Sequence, residues 1–222
     1  MKFSKIIKFI IVLSISFPVY SNNGIWEGIF DINGHGSYDF TGLINSKYAS
    51  AYTKKAKVVY SGTFKEKNNY FTWSLSMYLK DGTKFGTAEI KGKIIDKNIM
   101  SGKWTTEPAK DYGNIYLIKK NNTILNTGKI INRKWVAKET NIKQKIIIKD
   151  NKIIGKDNNN CNYYGEIKPL NKKIYTTNIE IASCGVSDGI YSGMAHIKKD
   201  NEKYNLFVTG TNKNFSLFMM LE

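Results

Sequence analysis

The chain has 222 residues, with 34 Lys and Arg against 18 Asp and Glu, for a formal net charge of +16. Hydrophobic residues at 41% and charged residues at 23% belong to a chain that buries a core, which excludes an intrinsically disordered protein. With 3 prolines, 2 cysteines and 2 histidines it is not collagen-like, not a disulfide-dense miniprotein and not a histidine-rich metal carrier.

Residues 1–21 are laid out as a secretory signal. Lys2, Lys5 and Lys8 form a basic start, an apolar run covers 9–17, and Val19 and Ser21 stand where small residues precede a cleavage site. A membrane anchor is the alternative. The stretch 6–19 is broken by Lys8, Ser14, Ser16 and Pro18, and is shorter than the roughly 20 residues a spanning helix needs. Cleavage after Ser21 is expected. No cysteine follows the apolar run, which argues against a lipid anchor.

From Asn22 onward the pattern is that of antiparallel strands. A first strand is expected over 24–32, and a second over 37–45 after the Asn33-Gly34 turn. Segment 46–57 holds Ala49, Ala51 and Ala56 without apolar periodicity; it is a weak helix candidate and is read as a loop. A strand over 57–65 follows. The clearest signal lies in 69–80, where Phe71, Trp73, Leu75, Met77 and Leu79 alternate with Tyr70, Thr72, Ser74, Ser76 and Tyr78. That period of two is unusable by a helix. Asp81-Gly82 marks a turn, and 84–95 returns with Gly86, Ala88, Ile90, Gly92 and Ile94 on one face. Small residues there suit a sharply bent sheet or a barrel wall. Strands at 99–105 and 114–119 complete the first half.

The polar stretch 119–132, rich in Asn and Lys and containing Gly128, is read as a boundary between units at 22–125 and 126–222. Beyond it, strands are expected at 133–139, 143–149, 152–156, 161–168, 174–183, 189–198, 203–209 and 215–221. Turn residues such as Asp150-Asn151 and Asp200-Asn201 separate them. Strands recurring at roughly 8–12 residues predict an all-β fold: an antiparallel barrel or sandwich, or two small β domains in tandem. Trp26 and Trp135 each open a half. The strings 94–103 and 147–156 are also alike, but they sit at different places in their halves, so shared hairpin chemistry accounts for them.

Cys161 and Cys184 flank the polar stretch 169–173 symmetrically. If that stretch turns a hairpin, the two cysteines lie opposite each other on adjacent strands, and an exported chain would pair them. Closing that loop stabilises the fold by about 3 kcal/mol in the chain-entropy model. A metal site combining both cysteines with His35 and His196 lacks any short paired ligand spacing.

The last third contains Ile153-Ile154-Gly155, Cys161-Asn162-Tyr163-Tyr164-Gly165, Ile174-Tyr175, Cys184 and Gly189-Ile190-Tyr191-Ser192-Gly193-Met194-Ala195. With the opening Gly24-Ile25-Trp26-Glu27-Gly28, this resembles exported β-rich proteins and lipoproteins of Gram-negative bacteria, whose activities are mostly unknown. The resemblance implies small antiparallel barrels or sandwiches and a periplasmic, extracellular or cell-surface location. It implies no mechanism. The chain departs from the pattern in lacking a lipobox cysteine.

Catalytic chemistry is not legible. His196 shares a strand face with Ile190 and Met194, as a core or rim histidine would, and His35 sits in a glycine-rich turn. Asp31, Asn33 and Gly36 begin like a calcium loop, but the twelfth position is Gly42 instead of a bidentate glutamate. Glycines form no phosphate-cradling motif, and nothing places carboxylates such as Glu27 and Asp31 across a cleft. No enzyme, metal or cofactor is expected.

The strongest remaining feature is positive charge. Lys119, Lys120, Lys129, Arg133, Lys134, Lys138, Lys143, Lys145, Lys149, Lys152 and Lys156 face only Glu139 and Asp150 in the same stretch. This is a candidate surface for an anionic envelope or secreted partner, including peripheral contact with lipid headgroups. Arg133 is the single arginine, and base or bidentate phosphate recognition favours arginine, so nucleic acid is not expected. An AT-rich coding sequence would enrich Lys, Asn and Ile in the same way without any partner. Trp26, Trp73, Trp104 and Trp135, with Phe71 and Phe85, are spaced as inward residues that either fill a barrel or line a ligand pocket. The leading expectation is an exported, non-catalytic binding module that uses a barrel mouth or its lysine-rich face. An integral outer-membrane β-barrel is the alternative, and a secreted hydrolase a more distant one.

Overall fold

The computed structural model describes residues 22–46, 48–121, 127–137 and 143–222; the leader at 1–21 lies outside the described residues. Eight strands form a closed barrel: β1 (Gly24–Ile32), β2 (His35–Asn45), β3 (Tyr48–Tyr52), β4 (Val59–Lys67), β5 (Tyr70–Tyr78), β6 (Lys84–Asp96), β7 (Ile99–Glu107) and β8 (Tyr112–Lys119). Each pairs antiparallel with the next, and β8 returns to β1 with Gly28 opposite Leu117.

A short helix, α1 (Thr127–Ile131), precedes the second sheet. Its strands, again in chain order, are β9 (Lys134–Val136), β10 (Lys145–Lys149), β11 (Lys152–Lys156), β12 (Asn162–Pro169), β13 (Ile174–Ala182), β14 (Gly189–Asp200), β15 (Lys203–Thr211) and β16 (Ser216–Leu221). Val136 and Glu222 exchange backbone hydrogen bonds of 2.8 and 2.9 Å, and Ala137 bridges Leu221, so the edges of this sheet meet as well. The fold is therefore all-β, two eight-stranded antiparallel barrel-like sheets in tandem. Closure leaves the first barrel no open edge, which is how such sheets avoid templating aggregation.

Period-two alternation fills both interiors. Trp26, Phe64, Phe71, Trp73, Met100 and Leu117 point into the first barrel; Trp135, Ile146, Ile148, Ile167, Tyr191 and Leu206 point into the second. Each such side chain stabilises the fold by about 1.5–3 kcal/mol on burial. The two opening tryptophans are treated alike. The indole N–H of Trp26 donates to the carbonyl of Asn22 and that of Trp135 to the carbonyl of Ile131, both at 2.9 Å. A cation lies over each ring: Lys119 Nζ at 5.4 Å over Trp26 and the Arg133 guanidinium at 3.9 Å over Trp135. The similar strings, by contrast, form the β6–β7 hairpin in one barrel and the β10–β11 hairpin in the other, which are not equivalent places.

Two elements differ from expectation, the first being α1, which lies in the stretch 119–132 read as a polar boundary. The segment read as a loop contains β3, Tyr48–Tyr52, whose last four residues are all buried. Ala49 and Ala51 face the first barrel's core, while Ser50 and Tyr52 face the second barrel. With both faces covered, the strand has no polar side and so no alternation to detect. The same reason explains the unbroken buried runs in β2, β14 and β15.

These four strands form the centre of the junction that docks the barrels together, with β1, β13 and β16 adding to it. Ile25 and Leu43 pack on Ile174 and Met194. The Ser50 and Thr209 hydroxyls share a hydrogen bond of 2.9 Å, and the Tyr52 hydroxyl shares one of 2.9 Å with His196 Nε2. Tyr52, His196 and Phe207 stack, with centroids 5.1 to 6.0 Å apart. At the border of the junction, Lys198 Nζ donates to Glu27 at 2.8 Å, and the Ser216 N–H donates to the Gly82 carbonyl at 2.8 Å.

Cys161 and Cys184 form a disulfide with Cα atoms 4.7 Å apart. Strands β12 and β13 make the expected hairpin, with Asn162 opposite Ala182. The cysteines sit just past its open end and are not directly opposite: the ladder would set Cys161 against Ser183. Ser183 adopts a φ of 62°, and Cys184 follows it into a short 3-10 turn, Gly185–Ser187.

Candidate functional site: a barrel mouth and a lysine-rich face

The first barrel is filled at one end and open at the other. At the filled end Phe64 stacks on Phe71 at 5.8 Å and meets Trp73 edge-on at 6.0 Å. Trp73 lies over Gly42 so closely that a Cβ there would sit 2.2 Å from the indole ring. At the open end, where the β1–β2, β3–β4, β5–β6 and β7–β8 connections cluster, an apolar recess of about 160 Å³ remains. Phe30, Phe40, Met77, Ile90 and Trp104 supply its walls, and Ala56 and Val58 approach from the β3–β4 loop. Phe85 stands at the rim, 41% exposed.

The mouth is built from fixed parts. Phe30 meets Trp104 edge-on at 5.4 Å, and the Trp104 indole donates to the Asp31 carbonyl at 2.9 Å. The β3–β4 loop is held by Asp39, whose carboxylate accepts from the backbone N–H groups of Lys54 (2.6 Å) and Lys55 (3.2 Å). Its neck closes through the Thr53 N–H to the Val58 carbonyl at 3.0 Å. The polar lining is sparse. Burial pushes the Tyr60 phenol up, so it stays neutral, and Asp111 is held by the Asn33 amide at 3.0 Å. The recess matches the volume of an engineered cavity of about 150 Å³ that takes a benzene, and is smaller than the roughly 300 Å³ and more of a site for a whole drug-sized molecule. A recess of that size has room for an apolar group of about a benzene's bulk.

Among the aromatic residues singled out in the sequence, Trp26, Trp73 and Phe71 fill the barrel, whereas Trp104 and Phe85 line the recess. The β3–β4 loop and Asp39 were not anticipated. Phe30, Ile32, Tyr38 and Phe40 carry a legible alternation, but no local pattern announces a loop pinned by a carboxylate on another strand.

The basic residues divide. Lys134, Lys145, Lys149, Lys152 and Lys156 come together on the outward face of β9–β11. Lys143 lies just before β10 and Lys129 on α1, both exposed. Lys138 lies outside the described residues. Arg133, Lys119 and Lys120 stand apart. Arg133 stacks on Trp135 and donates from Nη2 to the Tyr204 carbonyl at 3.2 Å. Lys119 lies over Trp26, where burial lowers its pKa, with repulsion from Lys173 adding to the effect. Lys120 lies 3.4 Å from Glu27. Opposing that, Glu27 is pushed up by burial but held below its ordinary value overall by Lys198 and Lys120.

Of the residues weighed for catalysis, Asp31 and His196 are occupied structurally. Asp31 accepts from Gly34 N–H and from both the backbone and side-chain N–H of Asn114, which lowers its pKa. His35 is exposed at the start of β2, opposite Ile32, and His196 is buried between the barrels with its pKa depressed to about 3 by desolvation. No helix among the described residues is long and apolar enough to cross a membrane.

No family model matches the chain, and no curated protein matches it significantly. A solved structure similar to it is the 2.40 Å crystal structure of a "putative outer membrane protein" from Bacteroides fragilis NCTC 9343. It is 11% identical, with 90% of this chain and 96% of that chain covered at a TM-score of 0.31. At that score the likeness carries no argument, and the fold assignment rests on the strand pairing itself.

Proposed function

We propose that this chain is an exported, non-catalytic binding module that holds the apolar end of a small ligand in the mouth of its first barrel. The observation that carries the reading is the recess of about 160 Å³, walled by rigid aromatic and aliphatic side chains beneath a pinned loop. Small barrels of about eight strands either fill completely or keep room for one small ligand, and this one does the first at one end and the second at the other. The basic leader pattern and the disulfide support export to an oxidising compartment, the periplasm or the surface of a Gram-negative cell.

The distribution of side chains favours a barrel exterior facing water over one facing lipid. Glu89, Lys91, Lys93 and Lys103 point outward from β6 and β7, while tryptophans point inward. A transmembrane barrel has the reverse arrangement, with an apolar band outside. Titration with an uncharged apolar probe, N-phenyl-1-naphthylamine, tests the proposal. Saturable one-to-one fluorescence enhancement, abolished by Ala88→Phe, which fills the recess from β6, is the expected result. Equal enhancement in that variant would place the ligand elsewhere.

A further inference from the structure

The outward face of β9–β12 carries an arrangement that neither barrel needs for folding. The register lines up three rows across the strands. In the central row Ile147 stands opposite Ile154, and Ile154 opposite Tyr164; these side chains are 52%, 58% and 47% exposed. Lys134 flanks the row at its β9 end. In the row above, Lys145 is directly opposite Lys156; in the row below, Lys149 is directly opposite Lys152. Like charges directly opposed on a sheet repel and destabilise it. Glu166 offsets one of the pairs by binding Lys152 at 2.5 Å, but among the described residues no ion pair offsets Lys145 or Lys156.

An apolar row bracketed by lysine rows is therefore kept at a cost to the isolated protein, and a negatively charged surface with an apolar layer beneath it would repay that cost. The lysine rows are four residues apart along each strand, about 13 Å at strand rise, so Ile147 and Ile154 lie within one patch of headgroups. Lysine stems can lie along apolar surface while the ammonium stays with phosphate. A soluble polyanion would use the lysines and leave the isoleucines in water. We infer that the β9–β12 face docks on an anionic phospholipid bilayer, Ile147, Ile154 and Tyr164 entering the headgroup layer and Lys134, Lys145, Lys149 and Lys156 contacting phosphate. This surface is distinct from the barrel mouth, and the inference does not depend on the proposed ligand.

The test is flotation of the purified protein with vesicles of phosphatidylcholine alone and of equimolar phosphatidylcholine and phosphatidylglycerol. A lysine near an anionic surface contributes about fivefold in partitioning, so Lys145→Gln with Lys156→Gln lowers binding to the anionic vesicles roughly 30-fold. Ile147→Ser with Ile154→Ser keeps the charge and must also weaken binding. All four positions are exposed, and thermal melts of the variants confirm the fold; relief of the lysine repulsion leaves the melting temperature unchanged or raised. Binding confined to anionic vesicles and lost in both variants supports the inference. Failure of the parent protein to float, or undiminished flotation of the lysine variant, overturns it. So does a lysine-dependent association that the serine substitutions leave intact, which would assign the face to a soluble polyanion.

Discussion

His196 makes the junction between the barrels sensitive to acid, and the size of the effect follows from its surroundings. The imidazole is fully enclosed, stacked against Phe207 and Tyr52 and hydrogen-bonded through Nε2 to the Tyr52 hydroxyl. Glu27 favours the charged ring, whereas Lys198 and Lys54 oppose it; desolvation dominates and lowers the pKa from 6.5 to about 3. Because the folded pKa is depressed, the stabilisation is complete above about pH 6.5 and is lost as pH falls towards 3. The unfolded chain takes up a proton that the folded chain refuses. The slope approaches 1.4 kcal/mol per pH unit, so going from pH 7 to pH 5 removes about 2 kcal/mol. The comparison is between the parent protein and His196→Gln, which keeps a hydrogen-bonding group near Tyr52 but does not titrate. Urea unfolding at pH 7, 6 and 5 should show the parent losing about 2 kcal/mol more than the variant. Titrating groups common to both cancel, and Glu27, whose pKa is lowered from 4.5, contributes only below that window. Parallel pH dependences in the two proteins would refute the reasoning.

Gly42→Ala forces a methyl group to within 2.2 Å of the Trp73 ring and should cost about 1–3 kcal/mol, read as a lowered melting temperature. Reducing the disulfide, or replacing Cys161 and Cys184 by serine, should cost about 3 kcal/mol in the denaturation of the second barrel, since it opens a loop of sequence separation 23. An unchanged urea midpoint after reduction would show that the hairpin is held by its ladder alone.

Legibility in the sequence followed burial. Where a strand has one wet face and one dry face, as in β5 with Trp73 inward and Ser74 outward, the alternation survives and the strand was read within two residues of its ends. Where both faces are dry, as in β3, the pattern is erased, and a strand of alanine, serine and tyrosine looks like a loop or a weak helix. The junction was illegible for the same reason. The His196 partners Tyr52 and Phe207 come from distant segments, and period-two reasoning assigns a residue to a face without saying what covers it. The lysine cluster was legible as charge but not as geometry. Arg133, Lys119 and Lys120 looked equivalent to Lys145, yet an adjacent tryptophan or glutamate draws each of them away from the outward face.

The junction and the mouth also share a strand end, which gives the second barrel a part in positioning the mouth. The β3–β4 loop that lines the recess with Ala56 and Val58 leaves β3 directly after Tyr52, the partner of His196. Its Lys54 ammonium lies 4.9 Å above the ring of Phe207 on the second barrel, while its backbone N–H is held by Asp39 on the first. The loop therefore rests on both barrels. Lys54→Gln removes the cation from the Phe207 ring and keeps the backbone N–H that Asp39 holds. The apolar probe should then bind this variant more weakly than the parent protein at pH 7. Were its affinity unchanged, the loop would be positioned by Asp39 alone, and the mouth would be a property of the first barrel by itself.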